Sequence, residues 1–100
     1  MDRVTAILHF ERMIVSMRVM VTLGFSILPE QLSHVQSLIP AEQTHIAALR
    51  ERGTVEVFYL SADRAHAWLV MMGDTPESVA AELARFPLFP YMRPTFTPLQ

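Results

Sequence analysis

"TVEVFYLSADRAHAWLVMM", residues Thr54–Met72, holds two strand-like runs around a short polar break. Thr54–Leu60 and His66–Met72 are dense in β-branched, aromatic and other apolar residues, which suit a pleated and buried surface. "SADRA" between them is polar and turn-like. The two runs therefore form a β-hairpin. What flanks that hairpin decides the fold.

Upstream, the text from Pro29 to Arg52 is helical. Pro29 suits the first turn, and Gly53 is a good C-terminal stop. Before it, "MRVMVTL", Met17 to Leu23, reads as a strand that "GFSILP" ends. Downstream, "GDTPES" opens a second helix that runs to about Arg85. Asp74 or Thr75 can cap it, Pro76 sits in its first turn, and Glu77 lies three residues after Asp74. A turn over Phe86–Pro90 follows. "YMRPTFT" is then a fourth strand, in which Pro94 demands an edge position or a bulge. The order is β-α-β-β-α-β, the ferredoxin-like split βαβ arrangement of the α+β class. Its antiparallel sheet carries both helices on one face and leaves the other bare. The plan covers residues 17–100 as one domain. Residues 1–16 fall outside it, as an extra strand, an arm, or an upstream start before a natural start at Met17.

The strands look apolar on both faces. Val19, Val21 and Leu23 stand against Met20; Val55, Val57 and Tyr59 against Phe58 and Leu60; Leu69 and Met71 against Trp68, Val70 and Met72. A sheet apolar on both sides needs cover on both sides. With 51% hydrophobic and 18% charged residues, the chain has more apolar material than one small core uses. The surplus predicts a homodimer or higher homo-oligomer.

The formal charge of −2 supplies no basic patch, which argues against a nucleic-acid partner. The absence of cysteine excludes a disulfide framework, a thiolate nucleophile and a cysteine-based metal site. Asp2, Arg3, Glu11 and Arg12 interrupt the apolar start too often for a signal peptide or a membrane span, so a soluble cytoplasmic protein with no membrane partner is expected. No metal-ligand spacing and no glycine-rich phosphate loop occurs, and no nucleophile motif surrounds the serines; no cofactor is expected.

One polar residue interrupts an apolar stripe. Leu32, Val35, Ile39, Ile46 and Leu49 follow helical spacing, and Glu42 falls on the same face. A carboxylate there points toward the sheet. Burial raises its pKa and makes it a candidate general base or acid near neutral pH. His45, three residues on, is placed to hydrogen-bond it. Pro40 leaves a second reading open. If the helix restarts there, Glu42 becomes an exposed first-turn residue that merely complements the helix dipole. His66 opens the third strand and shares a face with Trp68, although a lone strand histidine is more often structural. His9 and His34 face solvent on this reading. Tyr59, Tyr91 and Trp68 can line a pocket with polar tips, whereas aromatics at strand spacing usually belong to a core.

The C-terminal text "LARFPLFPYMRPTFTPL" resembles the closing signature of the muconolactone Δ-isomerase family. The matching residues are Pro87, Leu88, Phe89, Pro90, Tyr91 and Met92, then Thr97, Pro98 and Leu99. Upstream, Leu49 and Gly53 match the family's helix end, and Glu42 stands where the family has a helix glutamate. The resemblance implies a ferredoxin-like subunit that pairs into a dimeric α+β barrel. It also implies a cofactor-free isomerisation of an unsaturated lactone in aromatic catabolism. Glu42 would be the base, with donors from His45, His66, Tyr59 or Arg93 and a small-molecule substrate held by Tyr59, His66, Trp68, Phe89, Tyr91 and Arg93. The chain departs from the family at Tyr59 and Leu60, where the isomerases carry a Trp-Arg pair, and at Ala67 and Ala80 in place of an Asn and a His. The missing arginine removes an obvious partner for a lactone carboxylate. Two other functions fit the same fold. One is a non-catalytic protein that binds a small aromatic metabolite. The other is a cofactor-free monooxygenase of the dimeric-barrel type, which would use Trp68, His66 and Tyr59 rather than Glu42.

Overall fold

The computed structural model describes residues 17–100. The three readings of residues 1–16 lie outside the described residues. Strand β1 (Met17–Phe25) leads through a 3-10 turn (Pro29–Gln31) into helix α1 (Leu32–Glu51). Strands β2 (Val55–Leu60) and β3 (His66–Gly73) follow, then helix α2 (Pro76–Leu83), a second 3-10 turn (Phe89–Tyr91) and strand β4 (Met92–Leu99). All strand pairs are antiparallel, in the order β2-β3-β1-β4. This is the split βαβ sheet expected from the sequence: each helix links two strands that sandwich a third between them.

Local chemistry sets the element ends. Gly53 takes φ 81°, and Thr54 N–H donates to the Leu49 carbonyl at 2.9 Å while Gly53 N–H reaches Arg50 at 3.1 Å. These bonds satisfy carbonyls that the end of α1 would leave orphaned. Of the two candidate caps for α2, the structure selects Thr75. Its hydroxyl accepts from Ser78 N–H at 3.0 Å, and Thr75 N–H donates back to Ser78 Oγ at 3.1 Å. Asp74 and Glu77 take no part in that exchange. The helix ends at Leu83, two residues before the expected stop.

Both helices pack on one face of the sheet. Val35 and Leu49 from α1 and Val79 and Leu83 from α2 join Val19, Val21, Leu23, Leu69 and Met71 in a single core. β4 lies at the sheet edge, so Pro94 costs the ladder no central bond. It pairs with β1 from Phe25 opposite Met92 to Arg18 opposite Leu99. The proline-rich C-terminal text is therefore an ordered edge strand.

One face assignment differs from the alternation read in the sequence. A register shift lies between Val55 and Val57. Val55 pairs with core Met71, whereas Val57 and Tyr59 pair with Val70 and Trp68 on the opposite face. The bulge inserts one residue, so Val55 is buried in the core and its expected face-mates Val57 and Tyr59 are not. The face away from the helices carries Met20, Thr22, Tyr59, Trp68, Val70 and Met72. Trp68 there is 37% exposed and Tyr59 63%. Among the described residues, no helix is long and apolar enough to cross a membrane.

Candidate active site

Helix α1 runs without a break through Pro40. The proline removes one backbone donor, but the residues on either side stay in phase. Of the two readings of Glu42, the structure takes the inward one: Glu42 is 6% exposed, the single polar or charged side chain fully buried among the described residues. It sits seven residues after buried Val35 and seven before buried Leu49, two turns of helix in each direction.

The Glu42 carboxylate has one hydrogen bond. Leu88 N–H donates to its Oε1 at 3.3 Å. Two opposing effects act on its acidity. Removal from water disfavours the anion and raises its pKa; the Leu88 amide favours the anion and lowers it. Burial wins, and the group is held above the ordinary glutamate range.

Glu42 lines a cavity of about 410 Å³ between α1, the ends of β1 and β2, and the segment before β4. That volume suits a small organic molecule. Its wall is mostly hydrocarbon: Leu23 and Phe25 from β1, Leu32, Val35, Ile39 and Ile46 from α1, Phe58 and Leu60 from β2, then Phe86, Leu88 and Met92. Glu42 supplies the one acid in the lining, Arg64 the one cation, and Gln36 and Gln43 two neutral amides. A mostly apolar cavity with one buried carboxylate of raised pKa can move a proton to or from carbon.

The expected site residues are distributed unevenly around this chamber. His45 does not pair with Glu42. Its ring meets Phe86 edge-on at a centroid distance of 4.9 Å, and its Nε2 is buried without a hydrogen-bond partner. A three-residue step leaves the two side chains about 60° apart around the helix, close enough to meet, but the His45 ring is turned onto Phe86 instead. Tyr59, His66 and Trp68 lie on the sheet's other face, where the His66 and Trp68 rings stack at 6.2 Å. Phe89 and Tyr91 pack against the core rather than the chamber, and their neighbours Leu88 and Met92 line it instead. Arg93 donates to Ser26 Oγ at 3.2 Å on the surface. His34 is exposed; His9 lies outside the described residues. Gln36, Gln43 and Arg64 escaped the sequence reading. Gln36 and Gln43 are seven apart and flank the Glu42 stripe, a signal that periodicity could have supplied. Arg64 sits in the hairpin turn, where nothing local points to a cavity. No group of three or more His, Cys, Asp or Glu that could hold a metal ion is found among the described residues.

A four-stranded antiparallel sheet with two helices on one face, and an open, mostly apolar cavity beside a buried glutamate, defines a small ferredoxin-like α+β protein with a ligand-sized site. The comparison with known families sharpens this. The muconolactone delta-isomerase family model matches residues 14–100, and the chain belongs to that family. Among curated proteins, no sequence match is found.

Proposed function

We propose that the protein is a cofactor-free isomerase that shifts a carbon–carbon double bond in a small unsaturated lactone or a similar product of aromatic-ring cleavage, with Glu42 as the base. The observation that carries this reading is the Glu42 carboxylate itself: buried, raised in pKa, and set in the wall of a mostly hydrocarbon chamber. Family membership supports the reaction class.

The step balances without an added reagent. Ionised Glu42 takes a proton from the saturated ring carbon that bears the ring oxygen, at the far end of the conjugated C=C–C=O system. The electrons of that C–H bond enter the conjugated system, and negative charge collects on the carbonyl oxygen. Glu42, now a carboxylic acid, returns the proton at the carbon beside the carbonyl, and the double bond has moved next to the ring oxygen. Burial makes the carboxylate a stronger base than it is in water. The Gln36 and Gln43 amides are the neutral donors in the lining suited to the developing oxyanion.

We include an oligomer in the proposal. Trp68, Tyr59, Met20 and Met72 give the uncovered sheet face a partly exposed, largely apolar patch that a second copy would bury, as in a dimeric α+β barrel. The cytoplasm is the proposed location.

The test is to incubate the protein and its Glu42→Gln variant with muconolactone and follow enol-lactone formation by ultraviolet absorbance. Turnover by the parent that falls by two or more orders of magnitude in the variant supports the isomerase. Binding of the lactone without turnover by either protein would favour the non-catalytic reading of the same cavity.

A further inference from the structure

Arg64 stands in the β2–β3 hairpin turn with an unusual backbone for its type. It takes φ 61°, the one non-glycine residue with positive φ among the described residues. Glycine or asparagine ordinarily fills such a position, because a Cβ crowds the backbone there. Strain of this kind persists where the surroundings enforce it, and it concentrates at ligand sites. Here the enforcement is visible. Asp63 accepts from the Ser61 hydroxyl at 2.6 Å and from Ala65 N–H at 2.9 Å, while Arg64 N–H closes the turn on the Ser61 carbonyl at 2.9 Å. The turn is fixed around its arginine.

Arg64 lines the cavity. It is the one cation in the lining, and it has no ion-pair partner among the described residues. Glu42 is buried and Arg64 is exposed, so the acid lies deep and the cation stands toward the solvent side. Leu60, at the end of β2, also lines the chamber and offers it no charge. Arg64, four residues further on at the same end of the hairpin, does.

We propose that Arg64 is the anion anchor of this cavity, and that the ligand is a compact apolar molecule with a single carboxylate, its hydrocarbon body inside the chamber and its carboxylate on the guanidinium at the mouth. The planar fork of arginine matches a carboxylate with two parallel hydrogen bonds. Apart from Glu42 deep in the wall, the remaining polar lining, Gln36 and Gln43, is neutral, which leaves Arg64 as the one group that attracts an anion. The inference rests on the proposed cavity function for its substrate class, but its test does not require catalysis.

The experiment is calorimetric titration at neutral pH with phenylacetate and with its neutral isostere phenylacetamide. The proteins are the parent, Arg64→Asn and Arg64→Lys. Asparagine tolerates the left-handed backbone, so that variant removes the charge while sparing the turn. The parent is expected to prefer phenylacetate at least tenfold. Arg64→Asn should abolish that preference by weakening phenylacetate alone, and Arg64→Lys should retain part of it. Equal affinity of the parent for the two probes, no binding of either, or a preference that survives in Arg64→Asn overturns the proposal. Glu42→Gln can fail to affect muconolactone turnover while this preference stands, and the reverse is equally possible, so the two readings are judged separately.

Discussion

Leu88 and Glu42 are 46 residues apart in sequence, and the Leu88 amide donates to the Glu42 carboxylate at 3.3 Å inside the core. The segment that leads into β4 thus supplies the one partner of the buried acid on α1. The bond is at the long end of the hydrogen-bond range, and a single long bond does not offset the loss of water around an anion. The acid is left basic and poised.

The same imbalance makes stability depend on pH. The folded-state pKa of Glu42 is raised above its value in the unfolded chain. Between the two values the folded state holds more protons, so stability falls as pH rises through that window and the penalty is complete above the folded pKa. Glu42→Gln removes this group's part of the loss. Urea denaturation of parent and variant from pH 4 to 8 should therefore show the variant gaining relative stability as pH rises. A constant difference across that range would contradict the burial argument.

Catalysis should follow the opposite limb. The base must be ionised, so kcat/KM on a turned-over lactone should rise with pH and level off above the raised pKa of Glu42. The rising limb should lie above the ordinary glutamate range. A limb at or below that range would identify some other group as the base.

Pro40 sits inside α1, two residues before Glu42, with no N–H to give to the preceding turn. A proline in a helix interior costs about 3 kcal/mol, part of which local relaxation recovers. Pro40→Ala should raise stability by about 1–3 kcal/mol, read from the urea midpoint. A loss of stability would mean that the proline shapes the helix for its packing on the sheet.

Gly73 closes β3 where α2 begins. A Cβ there would stand 2.7 Å from Ser78 Oγ and 2.7 Å from Val79 Cγ2. Ser78 is half of the Thr75 cap, and Val79 is fully buried. Gly73→Ala should therefore destabilise by about 1–3 kcal/mol through overpacking and a disturbed cap, again by urea denaturation.

The proposed subunit contact is tested at its most prominent aromatic. Trp68→Asp places a charge in the centre of the apolar sheet face, where burial against a second copy would be costly. Light scattering should show the parent as an oligomer and the variant reduced to a monomer. An unchanged mass would move the interface elsewhere.

The fold was legible because its signals are local. The β2–β3 hairpin, the Pro76 start of α2, the Gly53 stop and the edge position of Pro94 each follow from residue chemistry within a few positions. The Val55–Val57 bulge was not legible, because it is a property of pairing with β3, and it moved Val57 and Tyr59 off the helix-covered face. Glu42 was visible as the polar member of an apolar stripe, though sequence left its direction open at Pro40. Its partner Leu88 is an ordinary backbone amide and carries no sequence mark. The aromatic candidates Tyr59, His66 and Trp68 were attractive by type and adjacency. The register of β3 sets them across the sheet from the chamber. Arg64 was hidden in a turn that reads as solvent-facing; it is exposed, and only the tertiary fold places it in the cavity lining.

Glu42 is a carboxyl group made more basic by its burial beside the cavity. The most direct measurement is a titration of its side-chain carbon by 13C NMR in protein labelled at glutamate Cδ, with Glu42→Gln assigning the resonance. The midpoint should lie clearly above that of the exposed glutamates in the same spectrum, and the resonance should shift when a cavity ligand such as phenylacetate is added. A midpoint at or below the exposed glutamates would show that the Leu88 bond outweighs desolvation, and Glu42 would no longer serve as the base.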